Sequence, residues 1–123
     1  MSILQEEKYR LKEYLRRNQR GCPACGKSVR RQGDLHHWLV RRGPDIPELY
    51  HKYNMFLVCN TPCHVPESKD LNLKCARKAL ALYGPDNIES WLRSLPFKVT
   101  SLPDFYVRAR DEYLRNQARV DTE

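Results

Sequence analysis

Two cysteine pairs constrain this chain more than any other feature. Cys22-Pro-Ala-Cys25 and Cys59-Asn-Thr-Pro-Cys63 stand 33 residues apart in a chain of 123 residues. Two tight turns of this kind supply four thiolates to a tetrahedral zinc ion, and Gly21, Pro23, Gly26 and Pro62 are residue types suited to such turns. A structural zinc on Cys22, Cys25, Cys59 and Cys63 would tie the N-terminal segment to the segment that begins at Asn54. At this chain length the ion would contribute folding energy directly. A redox Cys-x-x-Cys is the rival reading, but it needs one pair at a helix N-terminus within a βαβ pattern, which this chain does not offer. The fifth thiol, Cys75, lies in an apolar helical stretch and reads as a core residue.

The length fits one domain spanning residues 1–123, and 41 % hydrophobic with 30 % charged residues is a globular balance. No apolar run approaches the roughly 20 residues that cross a bilayer, and the first residues lack a signal peptide's apolar stretch and cleavage site. The expectation is a soluble, intracellular, cytoplasmic protein with no membrane partner, in which five cysteines do not form a disulfide framework. The formal charge is +7 with a pI near 9.3. It is unevenly spread: between Arg16 and Arg42, eight basic residues face one acid, Asp34. A one-sided excess of this kind attracts polyanions.

Periodicity and capping signals mark a helix near the N-terminus (1–20) and a helical last third of the chain. Ser2 with Gln5 makes a capping box for a helix over 2–18, with i,i+4 pairs Glu6–Arg10 and Glu13–Arg17. Strand-like stretches run from Asp34 to Val40 and from Asn54 to Val58, separated by a loop carrying Gly43-Pro44 and Pro47. Lys69 to Tyr83 has helical spacing and stops at Gly84. Asp86 and Glu89 make a second capping box, for a helix that Pro96 stops, and a last helix opens at Ser101 or Pro103. Trp91, Tyr106 and Tyr113 read as core, and His51 as an exposed loop residue.

His36 and His37 are adjacent on the first strand-like stretch, Asn54 opens the second, and His64 follows Cys63 directly. Successive strand residues point to opposite faces, so a twist or bulge is needed for both imidazoles to serve one site. The string Cys-x-x-Cys … Leu-His-His … Asn-x-x-x-x-Cys-x-x-x-Cys-His resembles the HNH endonucleases, the ββα-metal nucleases, some of which carry a four-cysteine zinc site beside the catalytic centre. The resemblance covers roughly residues 21–75, an HNH and zinc core, and leaves out the helical flanks, the N-terminal helix (1–20) and the helical C-terminal part (76–123). It implies an α+β fold, a β-hairpin and helix gripping a metal ion, pinned by zinc and flanked by N- and C-terminal helices. It also implies a metal-dependent DNA endonuclease that nicks or cuts both strands. His37 would be the general base, and His36 and His64 would hold a catalytic divalent ion (Mg2+, Mn2+, Zn2+ or Ni2+). Asn54 would either ligate that ion or hydrogen-bond the loop that holds the base. The chain is short for a self-sufficient site-specific enzyme, so the expectation is a larger protein partner that directs cleavage, and a bacterial or phage-encoded origin. Two features depart from the pattern: three residues separate Cys59 from Cys63 where the commoner form has two, and Pro66 follows His64 closely.

The chemistry stands on its own terms. Phosphodiester hydrolysis needs an activated water and stabilisation of charge on the phosphate and the leaving oxygen. A neutral imidazole is the side chain best matched to taking a proton from water near pH 7. Arg30, Arg31, Arg41 and Arg42 flank the histidine pair in sequence and suit contacts to a DNA backbone rather than to base edges. The alternative is a non-catalytic zinc-ribbon module for nucleic-acid binding or assembly, which would keep the cysteines and the basic face but show no metal-stimulated cleavage.

Overall fold

The structure, a computed structural model, describes residues 2–30, 33–41, 44–59 and 70–122, with side chains through Arg119. Helix α1 spans Ile3–Asn18 and starts as its sequence dictates: the Ser2 side chain accepts the Gln5 N–H while the Gln5 side chain accepts the Ser2 N–H. Leu11 and Leu15 are its buried residues, and Ile3 at the other end is 70 % exposed. The expected i,i+4 ion pairs are replaced by i,i+3 pairs, Glu7–Arg10 and Glu13–Arg16.

Strand β1 (Gly33–His37) pairs antiparallel with β2 (Met55–Cys59), from Gly33 opposite Cys59 to His37 opposite Met55. All five β2 residues are buried, in keeping with an apolar run covered on both faces. The outer edge of β2 meets α1's last turn. There the buried Gln19 amide accepts the Leu57 N–H at 2.8 Å and donates to the Leu57 carbonyl, filling the place of a third strand with one side chain. The pairing of β1 was expected to run to Val40 and stops at His37. Trp38 still donates to the Asn54 carbonyl at 3.0 Å, but Val40 turns its N–H to the Asn54 side chain.

A one-turn 3-10 helix (Pro47–Leu49) interrupts the loop between the strands. Helices α2 (Leu71–Tyr83) and α3 (Pro85–Ser94) meet at Gly84, whose φ of +79° is open to glycine without strain, and α4 runs Asp104–Thr122. The second capping box does not form. Gly84 is the N-cap and Pro85 takes the first helical position, where its missing N–H is harmless. Glu89 turns instead to α4, accepting from the Tyr106 hydroxyl at 2.9 Å and from Arg110 at 3.0 Å. Helix α2 packs along α4, where Arg77 binds Glu112 with two hydrogen bonds. Among the described residues the protein is thus an α+β fold of four α-helices and a two-stranded antiparallel sheet. None of these helices is long and apolar enough to cross a membrane.

One apolar cluster includes residues of β2 and all four helices, with Leu35 of β1 packed against it and Trp38, Phe56, Cys75, Ile88 and Tyr106 at 1 % exposure or less. Tyr106 and Cys75 therefore lie where expected, whereas Trp91 and Tyr113 are only half-buried against the cluster.

His51 departs from its expected exposure. Its ring stacks on Trp91 (5.3 Å, 25°) and sits 4.6 Å from the ring of Tyr53, and its Nδ1 accepts the Tyr53 N–H. Beside it, the Lys52 ammonium lies 5.5 to 5.7 Å from the rings of Tyr14, Tyr53 and Tyr83. Burial, helped by Lys52, holds His51 below its ordinary pKa of 6.5. The unfolded chain therefore carries a proton on His51 that the folded protein rejects. The contribution of the neutral ring is whole above pH 6.5 and is lost as the pH falls below it. Melting temperature should drop between pH 7 and pH 5, and the drop should be smaller in His51→Phe; equal slopes in the two proteins would remove His51 as a cause.

Candidate metal centre and histidine cleft

The first cysteine turn closes on itself. Cys22 donates its N–H to the Lys27 carbonyl and accepts the Gly26 N–H, each at 2.8 Å, with Gly26 at φ +81°. A Cβ on Gly21 would fall 2.6 Å from the Gly26 carbonyl oxygen, so the approach admits only glycine there. The turn faces the end of β2. The sulfurs of Cys22, Cys25 and Cys59 lie within 4.8 Å of one another, and Cys25 Sγ is 3.5 Å from Cys59 Sγ. Ligand arms of about 2.3 Å in a zinc tetrahedron put sulfurs about 3.8 Å apart, so these three sulfurs fit three corners. The cluster could hold a metal ion such as zinc. Cys63, the expected fourth ligand, lies outside the described residues, as do His64, Arg31 and Arg42.

The strand pairing carries no bulge between Gly33 and His37, so the two imidazoles leave opposite faces of β1. His36, only 5 % exposed, points to α2, where its Nε2 lies 2.7 Å from Asn72 Oδ1. His37 is half-buried and meets the ring of Tyr50 edge-on, with centroids 5.4 Å apart. Tyr50 in turn donates its hydroxyl to Asp45 at 2.8 Å. Burial lowers the pKa of His37; Asp45 raises it, and Lys8 and Arg41 push it further down. His37 opens onto a cleft of about 570 Å3 between the sheet and α1.

Asn54 is fully buried and belongs to the loop. Its Oδ1 accepts the Val40 N–H at 2.7 Å, and its Nδ2 donates to the carbonyls of Leu49 and Val40 at 3.0 and 3.4 Å. One amide thereby fastens both arms of the connection between β1 and β2. Both ends of the Asn54 side-chain amide are therefore engaged within this connection. Asn54→Ala would leave the buried Val40 N–H and Leu49 carbonyl without these partners, at a cost of about 1–3 kcal/mol each. The urea midpoint should fall accordingly; an unchanged midpoint would mean that the loop holds itself.

Arg30 and Arg41 are both exposed, and Arg41 stands at the mouth of a second groove, with Lys98 and Phe105 among its lining residues. Sequence reasoning missed Asn72, Tyr50 and the α1 residues at the His37 cleft. Asn72 and Tyr50 sit far from the histidines in sequence and reach them only through folding. A signal for α1 was present, since Lys8 and Lys12 are four apart and share one helix face. The chain matches no known family profile, and neither the curated proteins nor the solved structures contain a match.

Proposed function

We propose that the protein is a metal-dependent endonuclease that hydrolyses DNA phosphodiester bonds with His37 as general base. The observation that carries this reading is the place of His37: a half-buried imidazole, its pKa lowered, at the end of a strand and facing an open cleft. A neutral ring there can take a proton from water as the water attacks phosphorus, and Tyr50 fixes its orientation through the edge-on contact. Asn54 keeps the loop that carries Tyr50 in register with β1. The sequence resemblance to the ββα-metal nucleases and the order β1, β2, α2, with the cysteine turn against β2, support the same reading.

His36 Nε2 and Asn72 Oδ1 form a donor pair suited to a divalent ion, since neighbouring ligands of an octahedral ion with arms of about 2.1 Å stand about 3 Å apart. With His64 they are the residues that would hold it. Such an ion would be a Lewis acid, and it would lie on the face of β1 opposite the His37 cleft, so a phosphate served by both ion and base would have to bridge the two faces of the strand. The cysteine cluster would hold zinc as a structural ion, and the exposed Arg30 and Arg41, together with Arg31 and Arg42, would contact the backbone.

A second reading, a zinc-ribbon module that binds nucleic acid without cutting it, is favoured by one observation: His36 and His37 leave opposite faces of β1. Plasmid nicking across Mg2+, Mn2+, Ni2+ and Zn2+, with and without EDTA, separates the two. Metal-stimulated, EDTA-sensitive nicking is the expected result. DNA binding without nicking in any metal would leave the ribbon module.

A further inference from the structure

We propose that α1 is the second wall of the His37 cleft, and that Lys8 and Lys12 on it bind a backbone phosphate of nucleic acid beside His37. This deepens the hydrolase reading and rests on it for the role of the bound phosphate. The two lysines are one helical turn apart on one face of α1 and line the same open cleft as His37, Tyr50 and Asp34. Lys8 is held over the Tyr50 ring at 5.2 Å, so the side chain that contacts His37 also positions a cation next to it. Its only ion pair among the described residues is loose: Nζ stands 4.0 Å from Asp45 Oδ2, with the side chains 41 % and 60 % exposed. Asp45 is already engaged by the Tyr50 hydroxyl, so it keeps a partner if Lys8 turns to an anion. Lys12 has no ion pair among the described residues.

Two ammonium groups and one carboxylate, Asp34, line the cleft. Asp45 beside Lys8 brings the acids to two, and Arg41, close enough to act on His37, brings the cations to three, which leaves a net positive charge around it. Compact point charges on flexible stems suit an anion that is recognised by charge, and a backbone phosphate is such a group. The remaining neighbours agree. Tyr50 and Met55 give the cleft an apolar floor, which excludes water from part of the anion's surface and strengthens its attraction to the lysines. The N-terminal helix, which lies outside the nuclease-like stretch of the sequence, would thus supply part of the substrate site.

The test is a titration of the intact protein with inorganic phosphate at constant ionic strength, followed by backbone amide resonances. A parallel titration measures the affinity for a short DNA duplex. In the wild-type protein, phosphate should shift the amides of Lys8, Lys12 and Tyr50 saturably. In Lys8→Gln/Lys12→Gln those shifts should vanish and duplex affinity should fall about tenfold or more, with a shallower salt dependence. Lys78→Gln, on exposed α2 surface away from the cleft, should change affinity less than about twofold. Shifts centred elsewhere, no saturable shift, or a double variant that binds duplex like wild type would each overturn the proposal. Phosphate binding on α1 in a protein that nicks no DNA would instead sink the hydrolase and leave the anion cleft standing.

Discussion

Under the proposed zinc binding, Cys59→Ser should release the ion and take with it a large share of the protein's stability. The side chain is buried at the end of β2, with its sulfur 3.5 Å from that of Cys25 and the first cysteine turn folded against it. A hydroxyl in place of a thiolate removes one of the soft, charged donors that make a closed zinc site tight. Zinc binding in small finger peptides is worth about 10–16 kcal/mol, most of it folding free energy. Here the apolar cluster around Trp38 and Tyr106 stands on its own, so the loss should be a fraction of that, about 3 kcal/mol or more. For a chain of this size that is a drop in melting temperature of about 10 °C or more. Metal analysis beside a thermal melt decides it. Full zinc content and an unchanged melting temperature in Cys59→Ser would remove the zinc proposal.

Under the proposed hydrolysis, His37→Ala should lose cleavage by about two to four orders of magnitude, the range general-base catalysis supplies. Fold and DNA affinity should hold. His37 is only half-buried, it makes a ring contact with Tyr50, and truncating it leaves the strand pairing with Met55 intact. Single-turnover nicking with saturating metal isolates the chemical step from binding. Cleavage by the variant near the wild-type rate would end the assignment of His37 as base.

The parts of this protein that were legible in the sequence are those governed by neighbours in the chain. The Ser2–Gln5 capping box, the helix stop at Gly84 and the first cysteine turn are decided within about six residues, and each forms as its residues require. The start of α3 shows the limit of such reasoning. Asp86 and Glu89 have the spacing of a capping box, but Pro85 with its fixed φ claims the first turn, and Glu89 finds better partners on α4. The site was legible as a set of residue types and opaque as an arrangement. His36, His37 and Asn54 announce themselves. That Asn72 would meet His36, that Tyr50 would lie against His37, or that α1 would bring two lysines to the cleft depends on packing between distant segments. His51 was misplaced for the same reason: a polar loop residue becomes half-buried once Trp91 arrives from α3.

A two-stranded sheet has two edges along which another chain can add itself, and an unpaired edge is a route to fibres as well as to peptide capture. Gln19 blocks that route on the β2 side. Its amide satisfies both main-chain groups of Leu57 at the middle of the strand, where an incoming extended chain would first have to register. The sheet therefore cannot grow past β2 without α1 first letting go, and the helix that lines the cleft also guards the hairpin against its own copies.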